Sequence, residues 1–189
     1  MNATYREPAP GEVEQTSILR DVTIPEVRGA LGESVEVSVS TYPWMVVLTQ
    51  DCDLRLDLLA RAGQPAIEGG NPVAKDKILR SILLCPAFPC DHVLAGTYIE
   101  GGHRWAGTEK KILQSNREDR YHVLPIAKPI EESIVLDFKL VSAAPPEYVY
   151  VWLRANPKHS IAVLRPPFRD RLIQRFLNYV GRIALPDEG

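Results

Sequence analysis

Asp51, Cys52 and Asp53 stand together in TQDCDL, residues 49–54, directly behind the apolar run YPWMVVL. A thiol between two carboxylates can serve as a catalytic nucleophile with acid–base help. The attacking form is the thiolate, which needs a base or a positive charge beside it. Its sequence neighbours are acids, so a histidine must arrive from elsewhere. The candidates are His92, His103, His122 and His159, and none lies in a cysteine-protease signature. The competing reading is structural. Cys52 then sits as a small apolar residue under the strand end, and Asp51 or Asp53 caps a following helical turn.

Two further constellations can do chemistry. In CPAFPCDH, Cys85, Cys90 and His92 offer thiolate and imidazole ligands that zinc favours, with Cys52 or His103 as a fourth. Structural zinc sites show tighter paired spacing than this, and the alternative is a core Cys85 with Cys90 and His92 at the surface. Asp51, Asp53 and Asp57 offer oxygen ligands for magnesium, without an established nuclease spacing. The sequence therefore calls for no metal and no other cofactor. It also lacks a glycine-rich phosphate loop, a G-x-S-x-G elbow and an H-E-x-x-H helix.

A third group is basic. Residues 152–182 hold seven Lys and Arg against the single acid Asp170, in a chain whose net charge is −2. Arg165, Arg169, Arg171 and Arg175, with Trp152 and Tyr179 nearby, can follow a phosphate backbone. The same charge also suits an ordinary solvated helix face, or the acidic first half of a second copy in a homodimer.

The elements that must position these groups are short. At 189 residues, with 45% apolar side chains, the chain suits one domain with a real core. Residues 1–15 are expected as a flexible tail or strap, and 16–189 as a single domain. SVEVSV (34–39) alternates as a half-buried strand, and WMVVLT (44–49) reads as a strand covered on both faces. LRLDLLARAG suits a helical turn or two ending at Gly63. KILRSILLC (77–85) reads as a strand that PAFPCDH breaks, and a short helix fits 105–114. RYHVLPI, SIVLDFKLV, EYVYVWL and HSIAVLR read as four more strands. PPFRDRLIQRFLNYVGR places Phe168, Leu172, Ile173, Phe176, Leu177 and Val180 on one stripe, predicting an amphipathic helix over 166–181. Proline suits its entry and Gly181 its exit. The fold expected is mainly β: a small antiparallel barrel closed by this helix. No apolar run approaches the ~20 residues of a membrane span, and three cysteines without a secretory leader fit a cytoplasmic protein.

That pattern of proline, apolar strand and small hydroxyl residue, then a second strand ending in proline, then a closing helix, resembles the PemK/MazF family of SH3-like barrels. Most of its members are endoribonuclease toxins of toxin–antitoxin modules. YPWMVVLT is similar to the family's Arg-Pro strand running into Val-Leu-Ser, and ILLCPAF to its strand ending in Pro-Ile-Thr. The resemblance spans residues 30–182. The family's catalytic arginine falls at Tyr42 and its catalytic threonine near Phe88, and the 54–76 insert is longer than the family loop. Tyrosine cannot supply the bidentate guanidinium fork that stabilises phosphate charge. The resemblance therefore implies a barrel without toxin chemistry. Its implied role is a binding or interaction module in a cytoplasmic toxin–antitoxin or defence-type system, contacting a partner protein or nucleic acid. The alternative is an enzyme, a nuclease or Cys-dependent hydrolase, built on TQDCDL.

Overall fold

A long apolar run can be buried on both sides only if each face of the sheet has its own cover, and this chain supplies two. The computed structural model describes residues 4–9, 12–28 and 36–181, the side chains of 26–28 excepted. In chain order the elements are β1 (Tyr5–Arg6), β2 (Ser17–Arg28), β3 (Glu36–Val47), α1 (Asp51–Ala62), β4 (Ile82–Pro89), α2 (Cys90–Ala95), α3 (Gly107–Gln114), β5 (Tyr121–Leu124), β6 (Ile134–Asp137), β7 (Ser142–Ala144), α4 (Pro146–Ala155), β8 (Ser160–Leu164) and α5 (Phe168–Val180). The strands form one curled antiparallel half-barrel sheet in the order β1-β8-β2-β3-β4-β6-β5, with β7 beside β4. Helix and strand contents are 35% and 31%, so the expected antiparallel sheet with flanking α is present in a mixed α/β chain that holds more helix than the sequence led us to expect.

One face buries Ile18, Trp44, Val46, Cys85, Ala87 and Leu136 under Leu172 and Phe176 of α5. The other buries Leu19, Met45, Val47, Ile82 and Leu84 under Leu54 of α1 and Val149, Tyr150 and Leu153 of α4. Successive strand residues point to opposite faces, which is why Trp44 to Leu48 is apolar without a break. A smaller cluster joins Phe88 and Val135 to α2, α3 and Tyr121.

Several expectations change. EYVYVWL is not a strand but α4. Its buried positions, Pro146, Val149, Tyr150 and Leu153, follow helical spacing, and Pro146 occupies the first turn where no amide partner is needed. PAFP does not end β4 but continues it, with Ala87, Phe88 and Pro89 pairing Leu136, Val135 and Ile134. Pro86 is paired with Met45 on one side only, between the stretches of β4 that meet β7 and β6, so its missing N–H is tolerated. SVEVSV, where described, joins WMVVLT in one strand, and its valines face outward, Val37 at 72% and Val39 at 67% exposure. Of the flexible tail or strap expected over 1–15, the described residues form the strap. Tyr5 is buried and donates to the Pro125 carbonyl at 2.8 Å, Arg6 pairs with Glu14, and β1 pairs with β8. The C-terminal helix forms as expected, though Tyr179 rather than Leu177 or Val180 turns to the core. Among the described residues no helix is long and apolar enough to cross a membrane.

Candidate functional site

TQDCDL turns from strand to helix at Asp51. Gln50 is the capping residue and makes no side-chain cap bond, so neither aspartate caps the helix. Both lie in its first turn, where negative charge meets the positive end of the helix dipole. Asp51 accepts the Gln15 backbone N–H and lies 3.5 Å from Arg169, tying the strap and α5 to α1. Cys52 is exposed rather than tucked under the strand. Its thiol contacts Gln50 Oε1 at 3.5 Å and Asp53 Oδ1 at 3.8 Å, both acceptors. No imidazole is among these contacts in the described residues.

The metal readings also change. Asp57 is wholly buried and spent on structure. Its oxygens accept from Arg61 Nε at 2.8 Å, Tyr150 hydroxyl at 2.8 Å and the Leu79 N–H at 2.7 Å. Cys85 lies in the sheet core, donating to the Asp137 carbonyl at 3.5 Å, whereas Cys90 belongs to the smaller cluster and His92 is exposed. Burial pushes both thiols above their ordinary pKa, aided by the charges of Asp137 at Cys85 and Asp91 at Cys90. Among the described residues no group of three or more His, Cys, Asp or Glu side chains is placed to hold a metal ion.

The four arginines divide. Arg165 and Arg171 are exposed. Arg169 is shared between Asp51 and Asp170. Arg175 turns inward, donating to the carbonyls of Glu118 at 2.8 Å and Tyr121 at 2.9 Å, so it locks α5 to the chain entering β5. The two aromatics placed with them are elsewhere employed: Tyr179 packs on Phe138 and Trp152 on His159.

A cavity of about 680 Å³ opens where α5 begins, between the ends of β4, β5 and β6. His122 and Leu124 of β5, Ser133 before β6, Cys90 of α2 and Phe168 and Arg171 of α5 line it. Asn116, a non-glycine residue at φ 56°, shapes one wall. Its amide both donates to and accepts from the Val123 backbone, at 3.0 and 2.6 Å, fixing the α3–β5 connection. His122 is only 7% exposed and stacks near Phe138, 6.4 Å between ring centres. Its Nδ1 has no hydrogen-bond partner among the described residues, and neither has Arg175 Nε. Burial, with the Arg175 charge, pushes His122 down to a pKa of about 3, so the imidazole is neutral.

Sequence reading missed this site because its residues lie up to 82 positions apart, from Pro89 to Arg171, in a spacing no motif encodes. One signal was present. His122 shares a strand face with Leu124, so a polar ring occupies a core-facing position of RYHVLPI. Tyr42 and Phe88 form an edge-on pair with ring centres 6.3 Å apart. Comparison with protein-family models, with curated proteins and with solved structures gave no match for this chain.

Proposed function

We propose that this chain is a binding module. It is an SH3-like, PemK/MazF-like half-barrel without toxin chemistry, working in a cytoplasmic toxin–antitoxin or defence-type system and touching nucleic acid through the outward arginines at the start of α5. The observation that carries the reading is the Tyr42–Phe88 pair. The two rings are in contact, one where the resemblance sets the family's arginine and the other near where it sets the threonine. Aromatic rings cannot neutralise a phosphoryl transition state, which takes oriented cationic donors. Among the described residues Cys52, the nucleophile of the enzyme alternative, has hydrogen-bond contacts only with two acceptor oxygens, which supports binding over catalysis. Arg165 and Arg171 remain exposed for a phosphate backbone, whereas Arg175 is withdrawn from that role by its two carbonyl bonds.

Fluorescence anisotropy with a labelled single-stranded RNA, read across a salt series, tests this. With two or three arginines engaged, the log–log salt slope should be about −1.4 to −2, at ~0.7 per phosphate contact. Arg165→Glu should weaken binding and flatten the slope, and the RNA should stay intact on a gel. Salt-insensitive affinity, or no binding, removes the nucleic-acid contact. Cleavage of the RNA overturns the binding-module reading itself.

A further inference from the structure

We infer that the cavity at the start of α5 is a receptor site for a small zwitterion with an apolar body, of about dipeptide size. This rests on the binding-module reading only in taking the cavity as a receptor rather than an active site.

The volume comes first. About 680 Å³ lies inside the range of ~300–1,000 Å³ typical of small-molecule sites. A single amino acid would leave much of that space to water.

The floor is uncharged. Leu124 is buried, Phe168 half-buried, and His122 more than nine-tenths buried. His122 Nδ1 is a polar atom without a partner among the described residues, in a ring that lines the cavity. An apolar side chain fits Leu124 and Phe168.

The rim carries both signs of charge, from different elements. Arg171 comes from α5, whereas Asp91 comes from α2, and Glu131 and Glu132 from the segment before β6. Glu132 accepts the Trp44 indole N–H at 3.0 Å. Among the described residues, Arg171, Asp91 and Glu131 have no ion-pair partner. A simple anion would meet three carboxylates here, and a simple cation would meet the guanidinium. A molecule bearing a carboxylate and an ammonium group satisfies both, the carboxylate on Arg171 and the ammonium on the acids. The same acids disfavour a polyphosphate or an RNA backbone inside the cavity, and Arg171 stands at the border between this site and the outer arginine face.

The test is isothermal titration of the full chain with the dipeptide Phe-Ala and its two capped forms. N-acetyl-Phe-Ala lacks the ammonium, and Phe-Ala amide lacks the carboxylate. The free dipeptide should bind, and each capped form should bind roughly tenfold or more weakly, the scale of one charge-assisted hydrogen bond. Arg171→Gln should weaken the free dipeptide about tenfold and leave the amide's affinity unchanged. Asp91→Asn with Glu131→Gln should do the mirror image, weakening the free dipeptide and sparing the acetylated form. These side chains are exposed, so circular dichroism should be unaltered in both variants. The inference is overturned if the free dipeptide gives no binding at millimolar concentration, or if either capped form binds as tightly as the free one. Chromatography of the dipeptide afterwards keeps the two failures apart. Intact, unbound dipeptide overturns the zwitterion assignment alone, whereas hydrolysed dipeptide overturns the binding-module reading.

Discussion

His122 shows how far one side chain can be bent by its surroundings. The folded protein holds it neutral with a pKa of about 3, against 6.5 for a free imidazole. Between those values the unfolded chain binds a proton that the folded chain refuses. Stability from this residue is therefore complete above pH 6.5 and is lost as pH falls toward 3. At 1.36 kcal/mol per unit, roughly 3 kcal/mol should be lost between pH 7 and pH 4. His122→Leu should lack that component, so the wild-type urea midpoint should fall relative to the variant's on acidification. An unchanged difference between the two midpoints would mean that the ring is charged or solvated in the folded state. The cysteines differ just as sharply. In the native protein iodoacetamide should modify Cys52 readily, Cys90 slowly, and Cys85 only after unfolding, read by peptide mass spectrometry. Reaction of Cys85 in the folded protein would contradict its place in the sheet core. The sequence shows which side chains are thiols and imidazoles but not which way they face. TQDCDL looks like a strand end, and whether Cys52 points in or out depends on the phase of a helix that starts one residue earlier.

The β2–β3 hairpin makes the same point for elements. β8 pairs with β2 only over Ser17–Leu19, and β4 with β3 only over Trp44–Val47, so the hairpin runs on beyond the sheet as two strands alone. One of its faces is covered: Val22 and Ile24 pack in the cluster under α4, and the Tyr148 hydroxyl bonds the Thr23 carbonyl at 2.5 Å. The opposite face presents Val37 and Val39. Substitution should report that asymmetry. Ile24→Ala should cost ~2–4 kcal/mol by removing buried methylenes, whereas Val39→Ala should stay within ~0.5 kcal/mol. Equal costs in urea titration would mean that Val39 is covered in solution. Alternation in SVEVSV revealed a strand, but period 2 says only that two faces differ, not which is covered. EYVYVWL misleads for a related reason. Its aromatic and β-branched residues favour strands, and only burial at 146, 149, 150 and 153 exposes the helical period. The C-terminal helix was legible because its proline entry, its apolar stripe and Gly181 agree.

For the whole molecule, the antiparallel sheet was legible from the strand run, but its order was not. Pairing between distant strands leaves no local trace, so nothing in the sequence says that β8 lies between β1 and β2. The N-terminal strap depends on that arrangement. Tyr5 packs in the main core opposite Leu164 and reaches Pro125 with its hydroxyl. Tyr5→Ala should destabilise the whole fold by ~3–5 kcal/mol, and Tyr5→Phe by ~1 kcal/mol for the lost hydrogen bond. If thermal unfolding of Tyr5→Ala matched wild type, the strap would be an accessory and not a part of the sheet.

The place of β8 also sets a timetable. During synthesis the ribosome releases β1 and β2 more than 130 residues before the strand that must lie between them. At ~5–20 residues per second, those first strands wait for many seconds with their edges open. Early strands with unpaired edges are where nascent chains stick to one another. The charges on Arg6 of β1 and on Glu7, Glu12 and Glu14 between β1 and β2 are well placed to keep the growing chain apart from its neighbours until Leu164 emerges.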